Sequence, residues 1–130
     1  MISTNKVKNI LLVDDEPDVT YTITNILEDN GYKVDSFIDS TITLKSYKTN
    51  FYDLVILDIK MPKMDGFELY TKIREQDPNV KICFLTASEL YYENFRKVHS
   101  EFSKIIDEEC FIQKPVRPNE LIRKIEEIMN

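Results

Sequence analysis

Short apolar runs alternate along the chain with longer segments of helical periodicity. Four of the runs are unbroken, at residues 10–13, 54–57, 82–85 and 110–112. Uninterrupted apolar residues are typical of parallel strands that are covered on both faces. A fifth run at residues 32–37 mixes charged and polar side chains with apolar ones, which predicts a strand at the edge of the sheet.

The segments between these runs have a helical period. After the first run, apolar side chains recur on one helical face at Val19, Ile23, Ile26 and Leu27. Pro17 and Gly31 predict the start and the end of this helix. Similar spacing predicts helices over residues 66–77, 91–105 and 118–129. Residues 40–49 are the weakest candidate for a helix, because few apolar side chains there could pack.

The order strand then helix, repeated five times, predicts an α/β domain with a mostly parallel sheet. Right-handed crossovers would place helices on both faces of that sheet. A chain of 130 residues, with 42% hydrophobic and 31% charged residues, has the size and balance of one compact domain. We therefore expect a single domain over residues 1–130, with no second domain in this chain.

Composition narrows the classes of function. The net charge of -6 argues against direct binding of nucleic acid, which requires a basic face. No apolar run reaches the roughly 18 residues of a membrane span, and the first residues lack the pattern of a signal peptide, so we expect a cytoplasmic protein. Cys83 and Cys110 are too few for a disulfide scaffold and are expected to pack as core side chains. With only two glycines, the chain has no glycine-rich phosphate loop.

Polar side chains follow four of the apolar runs. They are Asp14, Asp15 and Glu16 after the first run, Asp58 after the second, Thr86 after the third and Lys114 near the fourth. Each has an ordinary explanation, such as an acid favoured by the positive end of a helix. These separate explanations would have to coincide at four strand ends. The carboxyl ends of the strands are also where open parallel sheets bind their ligands. We therefore predict that these side chains form one site.

Such an acidic cluster needs a counter-charge. Two carboxylates about 4 Å apart repel by about 4 kcal/mol at an effective dielectric constant of about 20. Either one carboxylate holds a proton or a cation lies between them. A few oxygen ligands suit Mg²⁺, which pairs readily with phosphate. A carboxylate beside that ion is a candidate nucleophile, which would form an aspartyl phosphate.

Four motifs stand at the predicted strand ends: LLVDDEPD, LVILDIKMPKMDG, FLTAS and FIQKP. They resemble the signatures of the response-regulator receiver domain, the CheY-like domain of two-component signalling systems, and the similarity extends from about Lys8 to Met129. The second motif is the most specific. The resemblance implies a flavodoxin-like, doubly wound sheet of five parallel strands in the order 2-1-3-4-5.

The resemblance also implies the chemistry. Asp58 would accept a phosphoryl group from a histidine kinase or phosphotransfer protein. Asp15, Asp58 and the backbone carbonyl of Lys60 would bind Mg²⁺ directly, and Asp14 would act through water. Lys114 would pair with the phosphoryl oxygens. The domain would catalyse only its own phosphorylation and dephosphorylation, and would not be an enzyme acting on a metabolite.

The same resemblance implies a switch. Thr86 would hydrogen-bond the phosphoryl group, vacating space for the aromatic residue three positions before the lysine, Phe111. Pro115 would follow a cis peptide bond that turns the lysine inward. Lys60 and Ser88 would influence the lifetime of the phosphoryl group.

The expected output surface is the part of the chain that departs from the family pattern. The switch would be read by a downstream protein target, still unknown, on the face of the fourth helix, fifth strand and fifth helix. The chain between Thr86 and Lys114 is longer than the family pattern by a turn or two of helix, and the usual Gly-Ala turn is missing. The partner surface therefore cannot be carried over from the family, and homodimer formation stays open.

Two other functions remain open at this point. A phosphatase of the haloacid-dehalogenase type would use Asp14 as its nucleophile, but the chain has no room for the usual cap domain. A degenerate receiver would only bind a partner, although its acids, threonine and lysine are intact.

Overall fold

The computed structural model describes residues 7–87 and 110–129. In this part of the chain, five strands alternate with four helices. In chain order they are β1 (Asn9–Val13), α1 (Pro17–Asp29), β2 (Lys33–Phe37), α2 (Ser40–Ser46), β3 (Leu54–Asp58), α3 (Gly66–Gln76), β4 (Lys81–Thr86), β5 (Cys110–Gln113) and α4 (Pro118–Met129). The helix predicted over residues 91–105, and Ser88, lie outside the described residues.

The strands form one parallel sheet in the order β2-β1-β3-β4-β5, which confirms the predicted fold class. The interior strands β1, β3 and β4 are almost completely buried. β2 is exposed or half-buried throughout, as its mixed sequence predicts for an edge strand. The carboxyl ends of all five strands therefore lie along one rim of the sheet.

The core has two layers, one on each face of the sheet. On one face, α2 and α3 pack around a cluster that includes Leu57, Phe67 and Phe84. On the other face, α1 and α4 contribute Leu27 and Leu121 to a second cluster. Alternate residues of each strand point to opposite faces, so unbroken apolar strands supply both layers.

Helix α2, the weakest of the predicted helices, is present and buries polar side chains. Ser40 and Thr43 are buried, whereas Ile42 is exposed. The helix is stabilised at its start by Asp39, whose carboxylate accepts hydrogen bonds from the backbone N–H groups of Thr41 and Ile42. Besides one apolar residue that packs against the core, the cap and two small polar side chains define this helix.

The two cysteines are direct neighbours in the sheet. Cys83 of β4 is paired in register with Cys110 of β5, and the structure joins them as a disulfide. Cys83 is fully buried, as expected for a core side chain. Both side chains pack in the second core cluster, as expected, and the bond between them is a further feature that the sequence did not predict.

Among the described residues, no helix has both the length and the apolar character that crossing a membrane requires.

Candidate functional site at the carboxyl rim of the sheet

Asp14 is held rigidly just beyond the end of β1. Its N–H donates to the carbonyl of Phe37 at 3.1 Å, which extends the pairing of β1 with β2. Its Oδ1 accepts from the N–H of Glu16 at 2.9 Å, and its carbonyl accepts from the hydroxyl of the buried Thr20 at 3.0 Å. The Asp14 carboxylate is completely buried, and its position is set by the turn into α1.

Asp58 is the last residue of β3, and the loop after it folds tightly against the strand. The Ile59 N–H donates to the carbonyl of Leu85 at 3.1 Å, and the Gly66 N–H donates to the carbonyl of Ile59 at 2.8 Å. A side chain on Gly66 would collide with the carbonyl oxygen of Asp58. Glycine is therefore required where α3 begins, because its backbone lies against the strand that carries Asp58.

Lys114 follows β5 and lies beside the end of β4. Its N–H donates to the carbonyl of Thr86 at 2.9 Å, and the Lys114–Pro115 peptide bond is cis. Its ammonium lies 2.7 Å from Asp14 Oδ2, 3.3 Å from Glu16 Oε1 and 3.4 Å from Asp58 Oδ2. One cation thus contacts three carboxylates, and its side chain is only 10% exposed.

The electrostatics of the site are dominated by crowded negative charge. Four carboxylates, from Asp14, Asp15, Glu16 and Asp58, each place an oxygen within 4.8 Å of the others. Burial, reinforced by the charge of Asp14, raises the pKa of Asp58 to about 7, although Lys114 opposes this shift. Burial also raises the pKa of Asp14. For Lys114, burial lowers the pKa, but the carboxylates outweigh that effect and raise it.

The donor set fits a hard divalent cation. All the candidate ligands are carboxylate oxygens, which Mg²⁺ prefers over nitrogen or sulfur. Apart from its ion pair with Lys114, the buried Asp14 Oδ2 has no hydrogen-bond partner within the described chain. One ammonium cannot balance four carboxylates, so a cation at this position would relieve the remaining repulsion.

A cavity of about 530 Å³ opens beside these carboxylates. Asp58, Lys60, Thr86 and Lys114 all line it, together with Asp15. The chemical groups predicted at four separate strand ends therefore converge on one space, which is large enough for a phosphoryl group and its solvation.

The other two residues singled out in the sequence lie beside this site. Phe111 is half-buried on β5, where its ring stacks on that of Phe84 with centroids 5.4 Å apart. Its carbonyl accepts a hydrogen bond from the ammonium of Lys124 in α4. Pro115 follows the cis bond and is exposed. Phe111 thus contacts both Phe84 of β4 and Lys124 of α4.

Glu16 was predicted to lie at the rim, but its contact there was not. Its position before Pro17 suggested an acid that favours the positive end of α1, but its side chain makes no capping hydrogen bond. It instead reaches across the cavity to Lys114. The spacing of acids after β1 places Glu16 near the rim, but the direction of its side chain depends on Lys114, 98 residues later.

Comparison with known proteins places this geometry in a family. Residues 10–126 match the family model of the response regulator receiver domain. The chain is 33% identical over 116 residues to the transcriptional regulatory protein DltR of Streptococcus agalactiae, covering 89% of this chain and 49% of DltR. It is 32% identical over 126 residues to the alkaline phosphatase synthesis transcriptional regulatory protein PhoP of Bacillus subtilis, covering 94% of this chain and 48% of PhoP. The chain thus spans about half the length of these curated relatives.

A solved structure gives the same result. The response regulator TrrA of Thermotoga maritima, determined in complex with Mg²⁺ and BeF, is 34% identical, with a TM-score of 0.77 over 94% of this chain and 99% of TrrA. The sheet order, the convergent acids and these comparisons agree. The chain belongs to the family of response-regulator receiver domains, which are signalling domains of two-component systems.

Proposed function

We propose that Asp58 is the phosphoacceptor of this domain. Its carboxylate lines the cavity at the carboxyl rim, close to the ammonium of Lys114 and the hydroxyl-bearing Thr86. In the reaction, an Asp58 carboxylate oxygen attacks the phosphorus of a donor, and the bond between that phosphorus and the leaving group breaks. The arrangement of one nucleophile between a cation and a hydroxyl donor is the observation that carries this proposal.

The neighbouring acids and Lys114 have separate parts in that reaction. Asp15, Asp58 and the backbone carbonyl of Lys60 would hold Mg²⁺ directly, with Asp14 acting through water. When bound, the ion offsets the negative charge that accumulates as an anionic donor meets a carboxylate. Lys114 exchanges a carboxylate contact for a phosphoryl oxygen, while the hydrogen bonds to Asp14 keep that acid in place.

The burial of the two central acids favours Asp58 over Asp14 as the nucleophile. Asp14 is completely buried, its Oδ1 accepts from the Glu16 N–H, and its Oδ2 lies 2.7 Å from Lys114. Asp58 lines the open cavity. This difference, together with the family, argues against a phosphatase of the haloacid-dehalogenase type that uses Asp14.

We propose a histidine kinase or phosphotransfer protein as the natural donor and a downstream protein as the target. Thr86 and Phe111 form the switch in this scheme. Thr86 lines the cavity at the rim, and Phe111 stacks on Phe84, two residues before Thr86 on β4. Movement of Thr86 toward a phosphoryl oxygen would let the half-buried Phe111 ring shift inward, altering the surface that β5 shares with α4.

The phosphoacceptor is tested by incubating the protein with Mg²⁺ and acetyl phosphate, then locating the modified residue by reduction with borohydride and mass mapping. We expect the label on Asp58, and none in Asp58→Asn. Asp77→Asn is the matched control, because Asp77 is equally buried but lies at the opposite end of the sheet. A label on Asp14 would support the phosphatase alternative, and an unlabelled protein would support a module that only binds a partner.

The switch is tested by amide chemical shifts before and after phosphorylation. We expect changes around β5 and α4, which are the fifth strand and the fifth predicted helix of the expected output face; the fourth predicted helix, over residues 91–105, lies outside the described residues. Changes confined to α1 and β2 would refute this assignment of the output face.

A further inference from the structure

Glu16 has a geometry that its place in the sequence does not explain. It stands at the start of α1, where an acid ordinarily accepts hydrogen bonds from the free N–H groups of the first turn. Here no such side-chain bond is formed. Its Oε1 instead lies 3.3 Å from the ammonium of Lys114, although the Glu16 side chain is 61% exposed.

The ammonium of Lys114 cannot serve all its carboxylate neighbours and a phosphoryl oxygen at once. Asp14 is buried and fixed by its hydrogen bonds to Glu16 and Thr20. Asp58 is the acceptor itself in the proposed function. Glu16 is the solvated member of the three, and it lies at the mouth of the cavity. An incoming anion that needs Lys114 therefore competes first with Glu16.

We propose that Glu16 positions Lys114 and selects among phosphodonors by their negative charge, a role that we call a charge filter. Its carboxylate occupies the contact on Lys114 that a donor oxygen requires, and its charge repels donors in proportion to their own charge. This role rests on the proposed function of Asp58. It predicts that the site resists small dianionic phosphodonors in solution more strongly than donors of lower charge.

The test is the variant Glu16→Gln, which removes the charge and keeps the length of the side chain. Acetyl phosphate is a dianion at neutral pH, whereas phosphoramidate carries about one negative charge. Two unit charges about 4 Å apart in water-like surroundings change binding by about fivefold. We therefore expect the donor concentration at half-maximal rate to fall about fivefold more for acetyl phosphate than for phosphoramidate, with little change in the maximal rate.

Asp18→Asn is the matched control. Asp18 is exposed in the first turn of the same helix, so this variant removes a charge of the same sign without the contact to Lys114. Mg²⁺ is kept saturating for each variant, as determined by titration. The difference between the two donors should shrink at about 1 M salt, where charges are screened within about 3 Å.

The outcomes separate this inference from the proposed function. Equal changes for both donors, unchanged kinetics, or a slower maximal rate in Glu16→Gln would overturn the charge filter while Asp58 is still labelled. The same selectivity change in Asp18→Asn would also overturn it, because the effect would then be general surface charge. If Asp58 of the natural protein takes no label from either donor, the proposed function fails, and the inference fails with it.

Discussion

Buried carboxylates lie at both ends of the sheet, and their charges are stabilised in different ways. At the amino end, Asp77 accepts hydrogen bonds from the hydroxyl of Tyr47 at 2.8 Å and the N–H of Asn50 at 3.2 Å. Nearby, Asp53 accepts from the N–H of Asn9 at 2.7 Å. These donors are uncharged, and each acid has its own.

At the carboxyl end the acids face one another instead. Asp14 and Asp58 are as deeply buried as Asp77, but they share one ammonium with Glu16. The consequence appears in the pKa of Asp58, which burial and the Asp14 charge raise to about 7. A buried acid with its own neutral donors stabilises the fold, whereas buried acids that compete for one cation are available for ligand chemistry.

Among the variants that test this difference between the two ends, Lys114→Ala is expected to change the free energy of unfolding most. The substitution leaves Asp14 and Asp58 buried without their shared cation, so we expect the free energy of unfolding to fall by about 3 kcal/mol at neutral pH without Mg²⁺. Urea denaturation measures this change. A loss below about 1 kcal/mol would mean that the carboxylates are already neutralised in another way.

Asp58→Asn is expected to raise the free energy of unfolding, by a smaller amount than Lys114→Ala lowers it. It removes one of four crowded carboxylates, so the metal-free protein should become about 2 kcal/mol more stable. Asp77→Asn is the matched variant at the other end and should be destabilising, because it weakens two hydrogen bonds. Thermal and urea unfolding of the pair measure the two signs. The same sign for both would remove the distinction between the two ends.

Tyr47→Phe tests the amino end directly. It deletes the hydroxyl donor to Asp77 and should cost about 1 kcal/mol. Burial and the bond to Asp77 raise the pKa of Tyr47 above its usual value of 10.0. The folded state therefore retains the phenol proton, and its contribution is complete below pH 10 and lost as the pH rises above 10. The variant should lose less stability than the natural protein over that alkaline range, and parallel profiles would contradict this account.

The smallest effect is expected from Lys63→Ala. Lys63 pairs with Asp39 at 3.1 Å, but its side chain is 67% exposed. A solvated pair contributes little, so the change in unfolding free energy should be below about 0.5 kcal/mol. Lys63→Ala is therefore a control for Lys114→Ala. Both variants remove a lysine that contacts an acid, but only Lys114→Ala removes a buried cation. Equal losses in the two variants would show that burial has no special effect.

Much of the architecture was predictable because it depends on local pattern. The unbroken apolar runs predicted the buried strands, and the mixed run predicted the edge strand β2. The pattern is weakest at α2, where Leu44 packs against the core but the burial of the polar Thr43 was not predicted. The signal that identifies α2 is its cap, Asp39, rather than its apolar residues.

The candidate site was predictable to a similar extent. The predicted site residues lie at or just after strand ends, and parallel strands bring such ends together. They are Asp14, Asp15, Asp58, Thr86 and Lys114. The resemblance to receiver domains then suggested roles for them, which the experiments above test. The pairing of Cys83 with Cys110 was not expected, since it depends on register between two strands.

Local pattern specifies which chemical groups are present, the order of the elements and the rim where polar side chains meet. Periodicity and short motifs are local, and parallel topology brings them to a common edge. The distribution of charge at that edge depends instead on the folded arrangement. The contact of Glu16 with Lys114, and the raised pKa of Asp58, depend on distances and burial between segments far apart in the chain, which no local pattern specifies.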